Sequence, residues 1–152
     1  MSAPYDGGCL CGAIRYRLSA EPLTLYVCHC TDCQKQTSTS FNLSMPVPRA
    51  ALELVRGEPG SYSVPLSGGR RWEGRFCRAC ITRVWSEPPK FPQLINLRPG
   101  TLDDTSWLRP VGHIWTRSAQ PWVRIPDDTL HYEGQPADMM PMIRAWQARA
   151  RA

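Results

Sequence analysis

Short alternating segments separated by turn residues dominate this chain. In residues 12–18, Ile14, Tyr16 and Leu18 alternate with Arg15 and Arg17, which is the period-two pattern of a half-buried strand. Most gaps between apolar segments contain glycine or proline, which favour turns. The same reasoning predicts strands over residues 23–27, 41–47, 52–55, 61–64, 75–76, 83–85, 94–97 and 113–115. This pattern is typical of a mainly β fold.

A helical pattern is convincing only near the C-terminus. Over residues 138–151 the apolar side chains recur at helical spacing, and Pro141 suits the first turn. The apolar positions are Met139, Met142, Ile143, Trp146 and Ala150, and the opposite face carries Arg144, Gln147, Arg149 and Arg151. We predict a short helix that packs against the core, with a membrane-surface or partner-binding helix as the alternative.

Length and composition favour one domain over residues 1–152. The chain is long enough for a hydrophobic core, and no break in composition marks a second domain. It begins without a basic region followed by an apolar run, and no stretch approaches the roughly 20 apolar residues of a membrane span. We therefore expect a soluble, cytoplasmic protein with no membrane partner. The oligomeric state stays open.

Arginine carries most of the positive charge. The formal net charge is +5, and Lys35 and Lys90 are the only lysines. Arginine pairs well with carboxylates and phosphates, so its abundance admits small acidic ligands as readily as nucleic acid. Because the charges are scattered, we do not expect a nucleic-acid interface. The one basic concentration comprises Arg70, Arg71, Arg75, Arg78 and Arg83.

Seven cysteines are the strongest chemical signal in the sequence. They occur as Cys9-x-Cys11, Cys28-x-Cys30-x-x-Cys33 and Cys77-x-x-Cys80. In a reducing compartment, closely spaced cysteines are metal ligands or catalysts more often than disulfides, and the odd number agrees with this. A Cys-x-x-Cys turn can point two sulfurs at one ion, and two such spacings predict zinc. Iron in a four-thiolate site is the minority alternative.

The spacing divides the cysteines into two sites. Cys28, Cys30 and Cys33 lie within six residues and can converge on one ion without help from distant segments. If Cys9 and Cys11 shared an ion with Cys30 and Cys33 instead, Cys28 would be left without a site. Four thiolates fill the shell of a structural zinc, whereas three leave a position for an exchangeable ligand, as in catalytic zinc sites. We predict two zinc ions per chain, the four-sulfur site being formed by Cys9, Cys11, Cys77 and Cys80.

The histidines are weaker candidate ligands. In an extended segment the side chain of His29 would point away from Cys28 and Cys30, so we expect it to lie outside the metal shell. We expect His113 to be a core or hydrogen-bonded residue, and His131 lies in a polar stretch typical of a surface. Neither of these two has a metal-ligand spacing.

Three motifs together resemble one known family. They are Gly7-Gly8-Cys9-Leu10-Cys11-Gly12-Ala13-Ile14-Arg15-Tyr16, Cys28-His29-Cys30-Thr31-Asp32-Cys33-Gln34-Lys35 and Phe76-Cys77-Arg78-Ala79-Cys80. Residues 100–104 and 113–122 agree with the C-terminal half of the same pattern. Over residues 5–125 the chain resembles the glutathione-dependent formaldehyde-activating enzyme family, also called the centromere protein V family. The resemblance implies an Mss4-like fold, a β-tent of mainly antiparallel sheets stapled by zinc.

The resemblance also implies an activity. The four-sulfur set matches the family's structural zinc ligands, and Cys28, Cys30 and Cys33 match its catalytic zinc ligands. The expected enzyme is a carbon-sulfur lyase that joins a small thiol such as glutathione to formaldehyde or another small aldehyde. Asp103 and Asp104 are candidates for proton handling, although an acidic turn is the favoured interpretation.

Two departures and two alternatives accompany this resemblance. Ile81 and Ser38 stand where family members commonly carry glycine, so we expect the turns here to differ. The first alternative function is a non-enzymatic zinc-binding module for a protein or nucleic-acid partner. A dithiol redox role is the second, and it is disfavoured because cysteines committed to a metal would not cycle.

Overall fold

The computed structural model describes residues 3–149 and is mainly β, as predicted. Its two helices are α1 (Thr31–Thr37) and α2 (Met140–Arg149). The strands are β1 (Tyr5–Gly8), β2 (Arg15–Leu18), β3 (Tyr26–Cys28), β4 (Asn42–Pro48), β5 (Leu52–Arg56), β6 (Gly60–Pro65), β7 (Arg71–Phe76), β8 (Arg83–Glu87), β9 (Leu94–Leu97), β10 (Gly112–Ile114) and β11 (Leu130–Tyr132). Every predicted strand is present, β9 with the predicted bounds and the others with shifted ends.

Three elements were not predicted. β1 reads Tyr-Asp-Gly-Gly, and its two glycines disfavour a strand by propensity. It forms because it pairs with β2, where a side chain at Gly7 would collide with the Tyr16 ring and the Thr101 carbonyl. β11 is only three residues long, and α1 is polar and too short to show a helical period.

The chain packs as two compact units. The first comprises the described residues up to Pro22 together with Met45–Leu108, and the second comprises Leu23–Ser44 with the described residues from Arg109 onward. β4 contributes its first three residues to the second unit and its last four to the first. The prediction of a single domain stays a prediction.

All strand pairs of the first unit are antiparallel. β1, β2 and β5 form a three-stranded sheet in that order. The last four residues of β4 pair with β9, and β8, β7 and β6 follow in sequence across the sheet. The fully buried side chains of this unit include Tyr16, Leu18, Met45, Val47, Val84, Ile95 and Leu97.

The second unit mixes parallel and antiparallel pairs. β3 pairs antiparallel with the start of β4, whereas β10 runs parallel to both β3 and β11. These parallel pairs refine the expectation of mainly antiparallel sheets. Thr31–Thr37 follows β3 directly, so α1 starts at the end of a strand that is paired on both sides.

The C-terminal helix packs against the core of the second unit, as predicted. Met142 is fully buried and Trp146 is 9% exposed. A side chain at Gly112 of β10 would lie 2.7 Å from the Met142 sulfur, so the helix sits directly on this strand. Ala150 and Arg151, which the sequence pattern assigned to the helix, lie outside the described residues. Among residues 3–149 no helix is long and apolar enough to cross a membrane.

Candidate metal centres

Four cysteine sulfurs of the first unit lie close enough to share one metal ion. The Sγ atoms of Cys9 and Cys11 are 3.6 Å apart, and those of Cys11 and Cys77 are 3.8 Å apart. A tetrahedral zinc with Zn–S bonds of about 2.3 Å separates its sulfurs by about 3.8 Å. All four Sγ atoms lie within 4.8 Å of one another. We call this set the four-cysteine group: Cys9, Cys11, Cys77 and Cys80.

Two tight turns bring these sulfurs together. In the first, the Gly12 N–H donates to the Cys9 carbonyl at 3.0 Å, and Gly12 has a φ of +75°. In the second, the Ile81 N–H donates to the Cys77 carbonyl at 2.9 Å, and Ile81 has a φ of +63°. Ser38, which ends α1, has a φ of +55°. Both Ile81 and Ser38 therefore adopt the left-handed backbone that glycine favours, and the expectation that these turns differ from those of relatives stays a prediction.

Hydrogen bonding and crowding act in opposite directions on the thiols of the four-cysteine group. The Thr82 hydroxyl and then its backbone N–H lower the pKa of Cys80 to about 5. At Cys11 a hydrogen bond from the Ala13 backbone lowers the pKa, but the neighbouring sulfurs of Cys80 and Cys9 outweigh it and raise the pKa to about 11. Adjacent thiolates repel one another because both are negatively charged. A bound cation would offset this repulsion, so the four sulfurs fit a metal ion.

Three further cysteines converge in the second unit around the end of β3 and the start of α1. Cys28 ends β3, Cys30 is the N-cap of α1, and Cys33 lies in the first turn of that helix. The Cys30 sulfur accepts the Cys33 N–H at 3.3 Å. The three Sγ atoms lie within 4.8 Å of one another, and all three residues are buried. We call Cys28, Cys30 and Cys33 the three-cysteine group.

Crowding dominates the electrostatics of the three-cysteine group. The neighbouring sulfur of Cys30 is the main cause that raises the pKa of Cys28, to about 12. The sulfurs of Cys28 and Cys30, followed by burial, raise the pKa of Cys33 far above its usual value. Three thiols this close favour ionisation only beside a positive charge, so this donor set also fits a metal ion. Among residues 3–149, no fourth His, Cys, Asp or Glu ligand atom belongs to the group.

The structure assigns His29 to the core and not to the metal ligands. Its imidazole is fully buried, and its Nε2 lies 2.9 Å from Nδ1 of His113. It also makes an edge contact with the Phe41 ring. His113 is buried and hydrogen-bonded, and His131 is exposed and contacts the Thr129 hydroxyl at 3.1 Å. All three histidines therefore occupy the positions that the sequence predicted.

The two candidate acidic residues have structural partners in the first unit. Arg15 pairs with Asp103 through two hydrogen bonds, which hold the pKa of that carboxyl below its usual range. Asp104 accepts the Ser106 N–H at 2.8 Å, which is the bond of a local turn. The Asp104 bond agrees with the acidic-turn interpretation, whereas the Asp103 side chain forms an ion pair with a residue of β2.

Part of the basic concentration is neutralised by neighbouring acids. Arg71 lies 3.7 Å from Glu73, and Arg75 lies 2.8 Å from Glu87. Paired arginines present less free positive charge to a polyanion. The absence of a nucleic-acid partner stays a prediction.

Sequence reasoning missed one residue beside the three-cysteine group. Gln34 follows Cys33, and its side chain reaches the carbonyls of His29 and Ser118 at 2.7 and 2.8 Å. The adjacency to a cysteine is visible in the sequence, but the contact with a residue 84 positions away is not.

The family comparison and a curated relative both point to one family, and a solved structure supports the fold. Residues 4–118 match the family described as glutathione-dependent formaldehyde-activating enzyme. A protein of Halomonas elongata named "Putative glutathione-dependent formaldehyde-activating enzyme" is 25% identical over 151 residues, covering 95% of this chain and 94% of the relative. A crystal structure of a Rhodobacter sphaeroides protein aligns with a TM-score of 0.52 at 19% identity, covering 67% of this chain and 91% of that one, which supports the fold alone. Because the family match covers most of this chain, the chain belongs to the glutathione-dependent formaldehyde-activating enzyme family.

Proposed function

We propose that this chain is a zinc-dependent carbon-sulfur lyase that promotes the reversible addition of a thiol such as glutathione to formaldehyde or another small aldehyde. Cys28, Cys30 and Cys33 would hold the catalytic zinc. The four-cysteine group would hold a second, structural zinc. The family membership supports the chemistry, and the two cysteine groups support the metals.

The observation that carries this proposal is the difference in donor number between the groups. Four thiolates complete a tetrahedral shell, whereas three leave one position for an exogenous ligand. The three-cysteine group has no fourth protein donor among the described residues, and the side chain of His29 contacts His113 instead. These contacts favour the enzyme over the non-enzymatic zinc module, which a closed second site would have supported.

The proposed catalytic group is more buried than the proposed structural group. Cys11 is exposed and Cys80 is partly exposed, whereas all members of the three-cysteine group are buried. A complete thiolate shell has no position for water, so exposure does not make it reactive. Burial of the three thiols instead excludes water and strengthens electrostatic interactions around them.

The proposed reaction is balanced without an oxidant or a reductant. The thiol sulfur forms a bond to the aldehyde carbon, and the carbonyl oxygen gains the proton that the thiol loses. When bound, zinc would supply the positive charge that lowers the pKa of an incoming thiol. The protein's part is to hold three sulfurs in fixed positions and to leave room for a fourth.

The test combines metal analysis with exchange kinetics. Protein purified without added metal is analysed for zinc, and exchange of ¹³C-formaldehyde with its glutathione adduct is followed by NMR. We expect close to two zinc ions per chain and faster exchange than in buffer. Cys30→Ser should lose one zinc and the acceleration, whereas Lys35→Ala, an exposed change on the same helix, should retain both. A folded wild-type protein with two zinc ions and no acceleration would refute the lyase and favour the zinc module.

A further inference from the structure

The backbone between Cys28 and Cys30 is held at every polar group of its central residue. The His29 N–H donates to the Ile114 carbonyl of β10 at 3.0 Å. The His29 carbonyl accepts two donors, the Gln34 side-chain amide at 2.7 Å and the Ser118 hydroxyl at 3.0 Å. Nε2 of the imidazole is bonded to His113 as well, so both backbone polar groups and one ring nitrogen of His29 have partners, whereas its buried Nδ1 has none among the described residues.

The Gln34 amide makes three hydrogen bonds. Its Nε2 donates to the carbonyls of His29 and Ser118, and its Oε1 accepts the Gln120 side-chain amide at 2.8 Å. A carboxamide has two donor hydrogens and an acceptor oxygen, so all three functions are occupied. The side chain therefore joins the cysteine-bearing segment to residues 116–120.

This connection matters because α1 cannot orient itself. The helix has seven residues, well below the length at which an isolated helix is stable in water. Its first turn carries Cys33, while Cys28 belongs to the paired end of β3. The position of the helix relative to the strand sets the distances between the sulfurs. Among the described contacts, the Gln34 side chain ties the helix to the backbone of His29, midway between Cys28 and Cys30.

We propose that Gln34 is a positioning residue that holds Cys28, Cys30 and Cys33 in the geometry required for metal binding. This inference rests on the proposed function, since it assumes a metal at the three-cysteine group. Hydrogen bonds that orient metal ligands affect metal affinity or activity by 10–100-fold. Loss of the Gln34 donors should therefore weaken the three-cysteine site and leave the four-cysteine site unchanged.

The test is a cobalt and zinc titration of full-length protein, with absorption spectroscopy to separate the two sites. Gln34→Met keeps the approximate shape and removes all three hydrogen bonds. Gln34→Glu places a carboxylate against two carbonyl oxygens, whereas Gln34→Lys restores donors to them. Lys35→Ala is the matched control on the same helix.

We expect Gln34→Met and Gln34→Glu to weaken binding of the second metal equivalent by about 10-fold or more and to shift its cobalt spectrum. Lys should recover part of the affinity, which a general role in packing would not produce. Affinity within twofold of wild type and an unchanged spectrum in both Met and Glu variants would overturn the proposal. If those variants do not fold, Gln34→Asn keeps the amide but shortens the side chain that reaches the His29 and Ser118 carbonyls, and unchanged second-site affinity there would overturn the proposal equally.

The wild-type titration separates this proposal from the one on which it rests. A wild-type protein that binds only one equivalent would contradict the second metal site itself. Two equivalents in wild type, with no response to substitutions of Gln34, would contradict only the positioning role.

Discussion

Replacing Cys77 by serine should destabilise this protein far more than replacing Cys30. The Cys77 sulfur lies 3.8 Å from that of Cys11, which is 66 positions away in the chain. A cross-link that closes a loop of that length restricts the unfolded chain by about 4 kcal/mol in the loop-entropy estimate, and metal clips act in the same way. The three-cysteine group spans six residues, for which the same estimate is about 2 kcal/mol.

The expected difference in stability between the two variants, about 2 kcal/mol, is large enough to measure. Because domains of this size have about 5–15 kcal/mol of total stability, a loss of about 4 kcal/mol in Cys77→Ser should remove roughly a quarter of it or more. The assay is urea unfolding of zinc-loaded, reduced protein, with wild type, Cys77→Ser and Cys30→Ser compared in the same buffer. We expect Cys30→Ser to unfold at a midpoint closer to wild type. Equal losses in both variants would refute the assignment of structural and exchangeable sites.

Two further predictions concern the first unit. Ile81→Gly should raise the free energy of unfolding by about 1 kcal/mol, because a β-branched residue at a φ of +63° is strained and this side chain is 66% exposed; a lower urea midpoint would contradict this. Glu87→Gln tests an ion pair, since the hydrogen bond from Arg75, with burial opposing it, lowers the pKa of Glu87 to about 2. A lowered carboxyl pKa stabilises the folded state above the unfolded value near 4.5, and this stabilisation is lost as the pH falls towards 2. The variant should therefore be about 1 kcal/mol less stable at pH 7 after allowance for solvent screening, with a gap that closes in acid; a gap independent of pH would refute the linkage.

Local sequence was sufficient where neighbouring residues determine the outcome. Cys28, Cys30 and Cys33 converge because a strand end, a helix cap and a first helical turn are consecutive in the chain. The alternation in residues 12–18 predicted β2, since period-two burial is a property of the strand itself. The C-terminal helix was likewise visible from the spacing of Met142 and Trp146, which are both buried.

Local sequence failed where pairing overrides propensity. The two glycines of β1 disfavour a strand, yet β2 pairs with all four of its residues. At Ile81 the residue type argued against the left-handed turn, but the turn is kept with a strained side chain. At β1, pairing with another segment outweighs a local preference of about 1 kcal/mol.

The seven cysteines could be grouped from the sequence, whereas the contacts of Gln34 could be found only in the tertiary structure. The sequence by itself predicted the division of the seven cysteines into four and three, because Cys28, Cys30 and Cys33 lie within six residues and the two remaining pairs are left to each other. Only the tertiary structure decided that His29 turns to His113, that Asp103 pairs with Arg15, and that Gln34 joins His29 to Ser118. These partners lie 84 to 88 positions apart in the chain, except for the short step from His29 to Gln34. Such contacts depend on strand register and on the path of the connecting segments, which no local pattern of residues encodes.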